Sequence, residues 1–179
     1  MRRPIISVGR FLKPFGVKGD IKFEPYYPEH IAFSDIKPGF TGFADARDSN
    51  DPTVSGEKIK ITSSKTMNRY WMFRLAGYNS PEEVSAITNL DLWVERGTLP
   101  SISDIEYLDV DLIGCSVFDE GGAELGTISD VIVTGANDVW EIHSKDGKEI
   151  LIPVIDEVVL NVDIDNGKIT VRLLDGLVE

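Results

Sequence analysis

Cysteine is almost missing from this 179-residue chain: Cys115 stands alone, so no intrachain disulfide can form. Two histidines, His30 and His143, together with that cysteine leave too few donors for a zinc site of the usual kind, and no metal or cofactor is expected. Long apolar runs are absent too. None approaches the ~18 residues a membrane helix requires, so no membrane span is expected. The opening residues carry Arg2, Arg3 and Arg10 but no uninterrupted apolar stretch and no small-residue cleavage site. No signal peptide is read there, and a cytoplasmic location is expected. Positive charge is the remaining scarcity, with 18 Lys+Arg against 30 Asp+Glu and a net charge of −12.

That deficit is unevenly shared. Residues 1–97 hold 14 Lys+Arg and 12 Asp+Glu, a balance of +2, whereas residues 98–179 hold 4 and 18, a balance of −14. A half this acidic repels nucleic acid backbones and attracts a basic protein. A hydrophobic content of 42% with 27% charged residues is that of an ordinary folded protein. The length suits two small domains.

Period-two alternation dominates the first half. Residues 17–24 set Val17, Ile21 and Phe23 against Lys18, Asp20, Lys22 and Glu24, and residues 58–62 and 69–75 repeat the pattern. Weaker strand candidates lie at 5–12, 40–46 and 91–95, and the turn-rich stretch 45–57 reads as a loop. Ser80, Pro81 and Glu83 supply a hydroxyl cap, a first-turn proline and a capping-box glutamate for one short helix, with Val84 and Ile87 at helical spacing. Residues 98–111 show no sustained period and coincide with the charge shift, so they read as a linker between domains 1–97 and 112–179. Strands resume with Ile113, Cys115 and Val117 alternating and continue at 125–133, 139–143 and 149–152. Val158, Leu160, Val162 and Ile164 then alternate against Val159, Asn161, Asp163 and Asp165, and Ile169, Val171 and Leu173 return the chain. The expected fold is all-β: two small β-barrels joined by a short linker, with one short helix in the N-terminal domain.

No catalytic constellation emerges. Asp156 and Glu157, and Asp163 and Asp165, read as solvated acids at strand ends. Asn161, Asp163 and Asp165 imitate the odd positions of a calcium loop, but Asn166 replaces its glycine and Arg172 its closing glutamate. Cys115 reads as a small core residue on a strand. Binding has better support. The connection 13–19 combines Lys13, Phe15 and Lys18 with Gly16 and Gly19; together with Arg10 it suits RNA phosphates and a stacking ring, or else is simply a tight turn. Glu106, Tyr107, Leu108, Asp109 and Asp111 set an aromatic and a leucine among acids, either to dock a basic partner or to pack the domains. Asn137 and Asp138, after Gly135 and Ala136, form a turn that can also touch a partner.

These pieces resemble one family. Val8, Gly9 and Arg10, then 14–19, then Pro28 and Glu29, are similar to the opening of RimM, the bacterial ribosome maturation factor. Residues 111–114, Leu125 and Gly126, 135–138, 151–153, 169–171, and Gly176 with Leu177 resemble, in order, its C-terminal PRC barrel. The resemblance spans essentially the whole chain. It departs at Phe15, where the family usually has histidine, and at Leu108 and Asp109, where it usually has tyrosine and tryptophan. Only Tyr107 carries over as an aromatic anchor.

The resemblance implies a non-enzymatic factor that binds the immature small ribosomal subunit. It also implies a contact with head ribosomal protein S-nineteen through the PRC barrel and linker, and help for head assembly and rRNA processing. On this reading Glu106, Tyr107, Leu108, Asp109, Asp111, Asn137 and Asp138 face the ribosomal protein. Arg10, Lys13, Phe15 and Lys18 face rRNA or the subunit, and the chain acts as a monomer without membrane contact. The alternatives are a metal-dependent RNA-processing enzyme and a PRC-barrel adaptor for another basic partner.

Overall fold

Alternating sequences build strands in both halves of the chain, but they are assembled differently. The structure, a computed structural model, describes residues 2–46, 56–102, 105 and 107–174. The expected loop at 45–57 therefore falls largely outside the described residues, as do Glu106, Gly176 and Leu177. Two units are formed, one spanning Arg3–Ile105 and the other running from Glu106. The segment expected to be a linker is divided between them.

In the N-terminal unit, β1 (Ile5–Phe15), β2 (Asp20–Pro25), β3 (Thr41–Asp45), β4 (Glu57–Met67), β5 (Tyr70–Leu75) and β6 (Asp91–Glu95) close a barrel in the order β1-β2-β5-β4-β3-β6. Every pairing is antiparallel, and closure leaves no sheet edge open. Ile6, Val8, Phe11, Ile21, Phe23 and Phe73 are fully buried in its interior. The Phe23 ring lies 5.3 Å from Phe11, 5.0 Å from Phe73 and 5.9 Å from Trp71, all inside the range for favourable aromatic pairs. Gly9 makes this crowding possible, because a Cβ there would come within 2.3 Å of the Glu24 carbonyl and 2.5 Å of the Phe23 ring.

Two expectations about the first hairpin are corrected. Lys13, Pro14 and Phe15 belong to β1 rather than to a loop, since the ladder shifts register between Phe11 and Pro14 and tolerates a proline at that bulge. Val17 is not an inward strand residue: it lies in the turn before β2, 82% exposed. Gly16 and Gly19 take φ of 67° and 75° to make that turn, and a Cβ on Gly19 would meet the Tyr78 carbonyl at 2.8 Å.

The helix α1 (Pro81–Val84) forms where its capping residues predict, and passes into a 3-10 turn, Ser85–Ile87. Ser80 Oγ accepts from Glu83 N at 3.2 Å, while the Glu83 carboxylate accepts from Asn79 N at 2.6 Å, one residue beyond the usual capping-box partner. Val84 and Ile87 bury its inner face. The end of this unit is fastened by Ser101, whose N–H donates to Asp35 at 2.9 Å and whose hydroxyl accepts from Ala32 N at 3.0 Å.

The C-terminal unit opens with a second helix, α2 (Asp109–Leu112), in a segment expected to be linker. Its cause is Asp111, a buried carboxylate that accepts from Leu108 N at 2.8 Å and so satisfies a donor at the helix start. Strands β7 (Ser116–Asp119), β8 (Glu124–Ile132), β9 (Val139–His143), β10 (Glu149–Pro153), β11 (Val159–Asp163) and β12 (Lys168–Val171) follow in the sheet order β10-β9-β8-β7-β12-β11. The β12–β7 pair is parallel and the others antiparallel. Ile150 and Ile152 from one end of the sheet, and Val159 and Val162 from the other, join one core around Trp140, Ile142, Ile169 and Val171.

Two residues here sit differently from the alternation. Cys115 is buried but precedes β7, with Sγ 3.4 Å from the Asp111 carbonyl. Leu160 points out, 40% exposed, because the β11–β12 register shifts between Val159 and Asn161. Such a bulge turns the following side chains over.

Candidate interaction surfaces

The end of β1 presents Lys13 to solvent and the turn after it presents Lys18, with Phe15 45% exposed beside them. Phe15 does not stand alone. Inward alternation of Trp71, Phe73 and Leu75 places Tyr70, Met72 and Arg74 on the outer face of β5, next to Lys22 of β2 and Lys65 of β4. The Lys22 ammonium lies 5.5 Å from the Phe15 ring centre and 5.8 Å from that of Tyr70, and the Arg69 guanidinium lies 5.1 Å from Tyr70. Met72, between Lys22 and Lys65 in register, floors a shallow depression bounded by Phe15, Met67 and the Asp20–Arg74 pair. Arg74 holds both oxygens of Asp20, each at 2.8 Å, so that carboxylate is already neutralised.

Arg10 belongs to a different group. Its Nε donates to Asp91 Oδ1 at 2.7 Å, and the Tyr26 hydroxyl donates to the same oxygen at 2.8 Å. Asp91 is 7% exposed. The Asp91 hydrogen bond and charge raise the Arg10 pKa, while burial first and Asp91 second raise that of Tyr26. The guanidinium that sequence alone assigned to RNA thus neutralises a buried acid in the barrel wall.

In the C-terminal unit, the residues expected to face a ribosomal protein separate by burial. Leu108 and Asp111 are each 2% exposed, so neither offers its side chain to a partner in this structure. Tyr107 is half-buried and packs against the unit's core, and Asp109 is half-exposed. Glu106 lies outside the described residues. Asn137 is exposed and Asp138 half-buried in the β8–β9 connection, where Thr134 Oγ1 donates to the Asn137 carbonyl and the Asp138 carbonyl accepts from Val154 N.

What the sequence reading missed is the apolar company of that connection. Ile132 and Val133 lead into it, 40% and 72% exposed, and Leu151 of β10 is 51% exposed. The register pairs Ile132 with Val139 and Leu151 with Glu141, placing these side chains on one sheet face with Glu141, His143 and Glu149. Asp130, Asp146, Asp156, Glu157 and Asp165 are further exposed acids of this unit. Its few cations are largely engaged: Lys145 pairs with Glu124, Arg172 with Glu120 at 2.6 Å, and Lys168 covers the Phe118 ring.

Among the described residues, one group gathers three metal-type donors: Glu141, His143 and Glu149. His143 Nε2 lies 3.5 Å from Glu141 on its own strand and 3.6 Å from Glu149 on the neighbouring strand. The calcium-like acids do turn chemistry instead, for Asp163 accepts from Asn166 N at 3.0 Å and Nδ2 at 2.7 Å, which lowers its pKa. No helix among the described residues is long and apolar enough to cross a membrane.

Comparison with known proteins places these two units. Residues 6–99 match the profile of the RimM N-terminal domain and residues 109–177 that of the RimM PRC barrel domain. The chain belongs to the RimM family. It is 33% identical over 176 residues to the ribosome maturation factor RimM of Oenococcus oeni, covering 97% of this chain and 98% of that protein. It is 32% identical over 173 residues to RimM of Shouchella clausii, covering 96% and 95%. A solved RimM chain from Pseudomonas aeruginosa is 22% identical, with 95% and 98% covered and a TM-score of 0.44, too low to position any side chain of this RimM member.

Proposed function

We propose that this RimM-family chain is a non-catalytic, monomeric assembly factor of the cytoplasm that binds the immature small ribosomal subunit. Its acidic C-terminal unit holds head ribosomal protein S-nineteen while the head forms and small-subunit rRNA is processed. The N-terminal barrel meets rRNA or adjoining subunit surface from the side bearing Lys13, Phe15 and Lys18. The observation that carries this reading is the segregation of charge between the two family domains, −14 in residues 98–179 against +2 in residues 1–97. A ribosomal protein is basic because it neutralises phosphate, so a carboxylate-rich surface competes with RNA for it. Exposed Ile132, Val133 and Leu151 add an apolar contact that sets the lifetime of the complex, while the acids raise its rate of formation. Glu106, Tyr107, Asp109, Asn137 and Asp138 remain the assigned contacts from sequence. Leu108 and Asp111 support them by holding α2 in place.

The test is co-sedimentation of the full chain with immature small subunits at two salt concentrations, with mature subunits as control. Association with the immature particle that weakens with salt supports the reading. No preference for immature particles, or cleavage of precursor rRNA by the purified chain with magnesium, overturns it.

A further inference from the structure

We infer that the outer face of β2, β5 and β4, beside the end of β1, is a platform for unpaired RNA, with Phe15 and Tyr70 stacking on bases and Lys22, Lys65 and Arg69 meeting phosphates. The inference rests on the reading that this barrel meets ribosomal RNA, and it names the face, the residues and the form of RNA.

The geometry supplies both parts of a single-strand site. Bases without pairing partners stack on aromatic side chains carried on an open sheet surface, while cations follow the backbone. Here two rings flank one ammonium, since Lys22 Nζ lies 5.5 Å from the Phe15 centre and 5.8 Å from the Tyr70 centre. Arg69 adds a second cation 5.1 Å from Tyr70, and exposed Lys65 borders the same depression. Of the two carboxylates on the outer face of β2, Asp20, which borders that depression, is closed off bidentately by Arg74 and does not repel phosphate, while Glu24 stays exposed further along the strand. Met67, 44% exposed, gives the depression an apolar edge onto which a base can lie, while Met72 beneath it is only 7% exposed.

Charge complementarity selects the occupant. Lys22, Lys65 and Arg69, with Lys13 at the end of β1 and Lys18 on the adjoining turn, favour an anionic ligand. The exposed Phe15 ring and the half-buried Tyr70 ring beside them favour one with planar bases over an acidic peptide. A duplex keeps its bases stacked inside and leaves Phe15 and Tyr70 unused.

The experiment uses the full chain and a labelled, unstructured RNA of about 12 nucleotides, with a hairpin duplex of similar length and a poly-glutamate peptide as competitors, read by fluorescence anisotropy. Phe15→Leu and Tyr70→Leu are each expected to weaken single-strand binding about tenfold without changing its salt dependence. Lys22→Gln and Lys65→Gln are expected to reduce the salt slope by roughly 0.7 for each phosphate they leave unneutralised. Lys58→Gln, on the far end of β4 opposite Phe43, makes the same charge change and is expected to alter affinity less than twofold. Thermal midpoints report whether each variant is folded, and the two lysine variants keep the test informative if a leucine variant is not.

Equal affinity of the ring variants and the native chain would overturn the inference. So would preference for the duplex, displacement by poly-glutamate at equivalent charge, or no binding of the single strand. Failure of the native chain to sediment with immature subunits, with oligonucleotide binding and its ring dependence intact, would remove the ribosomal reading and leave the RNA face standing. The converse result, particle association unchanged but no ring dependence, would remove only the RNA face.

Discussion

Asp91 gives the sharpest check on how charge is used in the N-terminal barrel. It is 7% exposed and accepts from Arg10 at 2.7 Å and Tyr26 at 2.8 Å. Asp91→Ala removes both bonds and strands a guanidinium and a phenol. A hydrogen bond to a charged group contributes about 1.5–3 kcal/mol net. The Arg10 side chain is 48% exposed and can be rehydrated, which cuts its share to about 1 kcal/mol. With about 1.5 kcal/mol for Tyr26, the loss comes to about 2.5 kcal/mol. For a unit of this size each kcal/mol moves the thermal midpoint by roughly 4–8 °C, so the midpoint should fall by at least about 10 °C. Arg10→Gln, which leaves Tyr26 on the carboxylate, should lose only about 1 kcal/mol. Urea unfolding followed by fluorescence reads this directly, since Trp71 and Trp93 are buried in the N-terminal unit and a Trp140→Phe background silences the other. An Asp91→Ala variant within about 0.5 kcal/mol of the native chain would refute the assignment. So would an Arg10→Gln variant that loses more RNA affinity than Lys22→Gln.

Other expectations follow from particular contacts. Gly9→Ala forces a methyl group into the Glu24 carbonyl and the Phe23 ring, and should destabilise the barrel by about 3 kcal/mol in the same urea assay. Ser80→Ala removes the cap of α1 and should lose about 1 kcal/mol. Burial, followed by the Glu57 carboxylate, pushes the Tyr78 phenol up to about 12, and Tyr26 is raised likewise by burial and Asp91. Both folded pKa values exceed the unfolded value of about 10, so their contribution to stability is complete below that pH and is lost as pH rises through the folded values. In an alkaline absorbance titration, fewer than all five tyrosines should ionise before the chain unfolds. Ionisation of all five near pH 10 in the folded state would contradict this.

The strands were readable wherever alternation was unbroken, as at Trp71, Phe73 and Leu75, and the α1 cap was readable because Ser80, Pro81 and Glu83 act within one turn. Errors arose where a bulge altered the count. Leu160 turned outward at the β11–β12 shift, and Pro14 stayed in β1 at another. Helix α2 was hidden because its stabilising contact is a buried aspartate, a residue type that sequence reading assigns to solvent. Asp111, assigned from sequence to a binding surface, is buried for the same reason, and Leu108 is buried beside it; Arg10, assigned to rRNA or the subunit, keeps half its side chain exposed while its guanidinium bonds Asp91. Tyr70 and Lys22 were each visible, yet their meeting beside Phe15 depends on the register of three strands. Charge segregation needed no coordinates. The clustering of Ile132 and Leu151 on one face did.

The acidic unit carries the proposed function, and the direct measurement is calorimetric titration of purified protein S-nineteen into the full chain across a range of salt. Native protein should bind with an affinity that declines steadily as salt rises. A variant carrying Asp130→Asn, Glu149→Gln, Asp156→Asn and Glu157→Gln should bind at least about tenfold more weakly at low salt and show a shallower decline. Equal binding by the two proteins, with no response to salt, would contradict it.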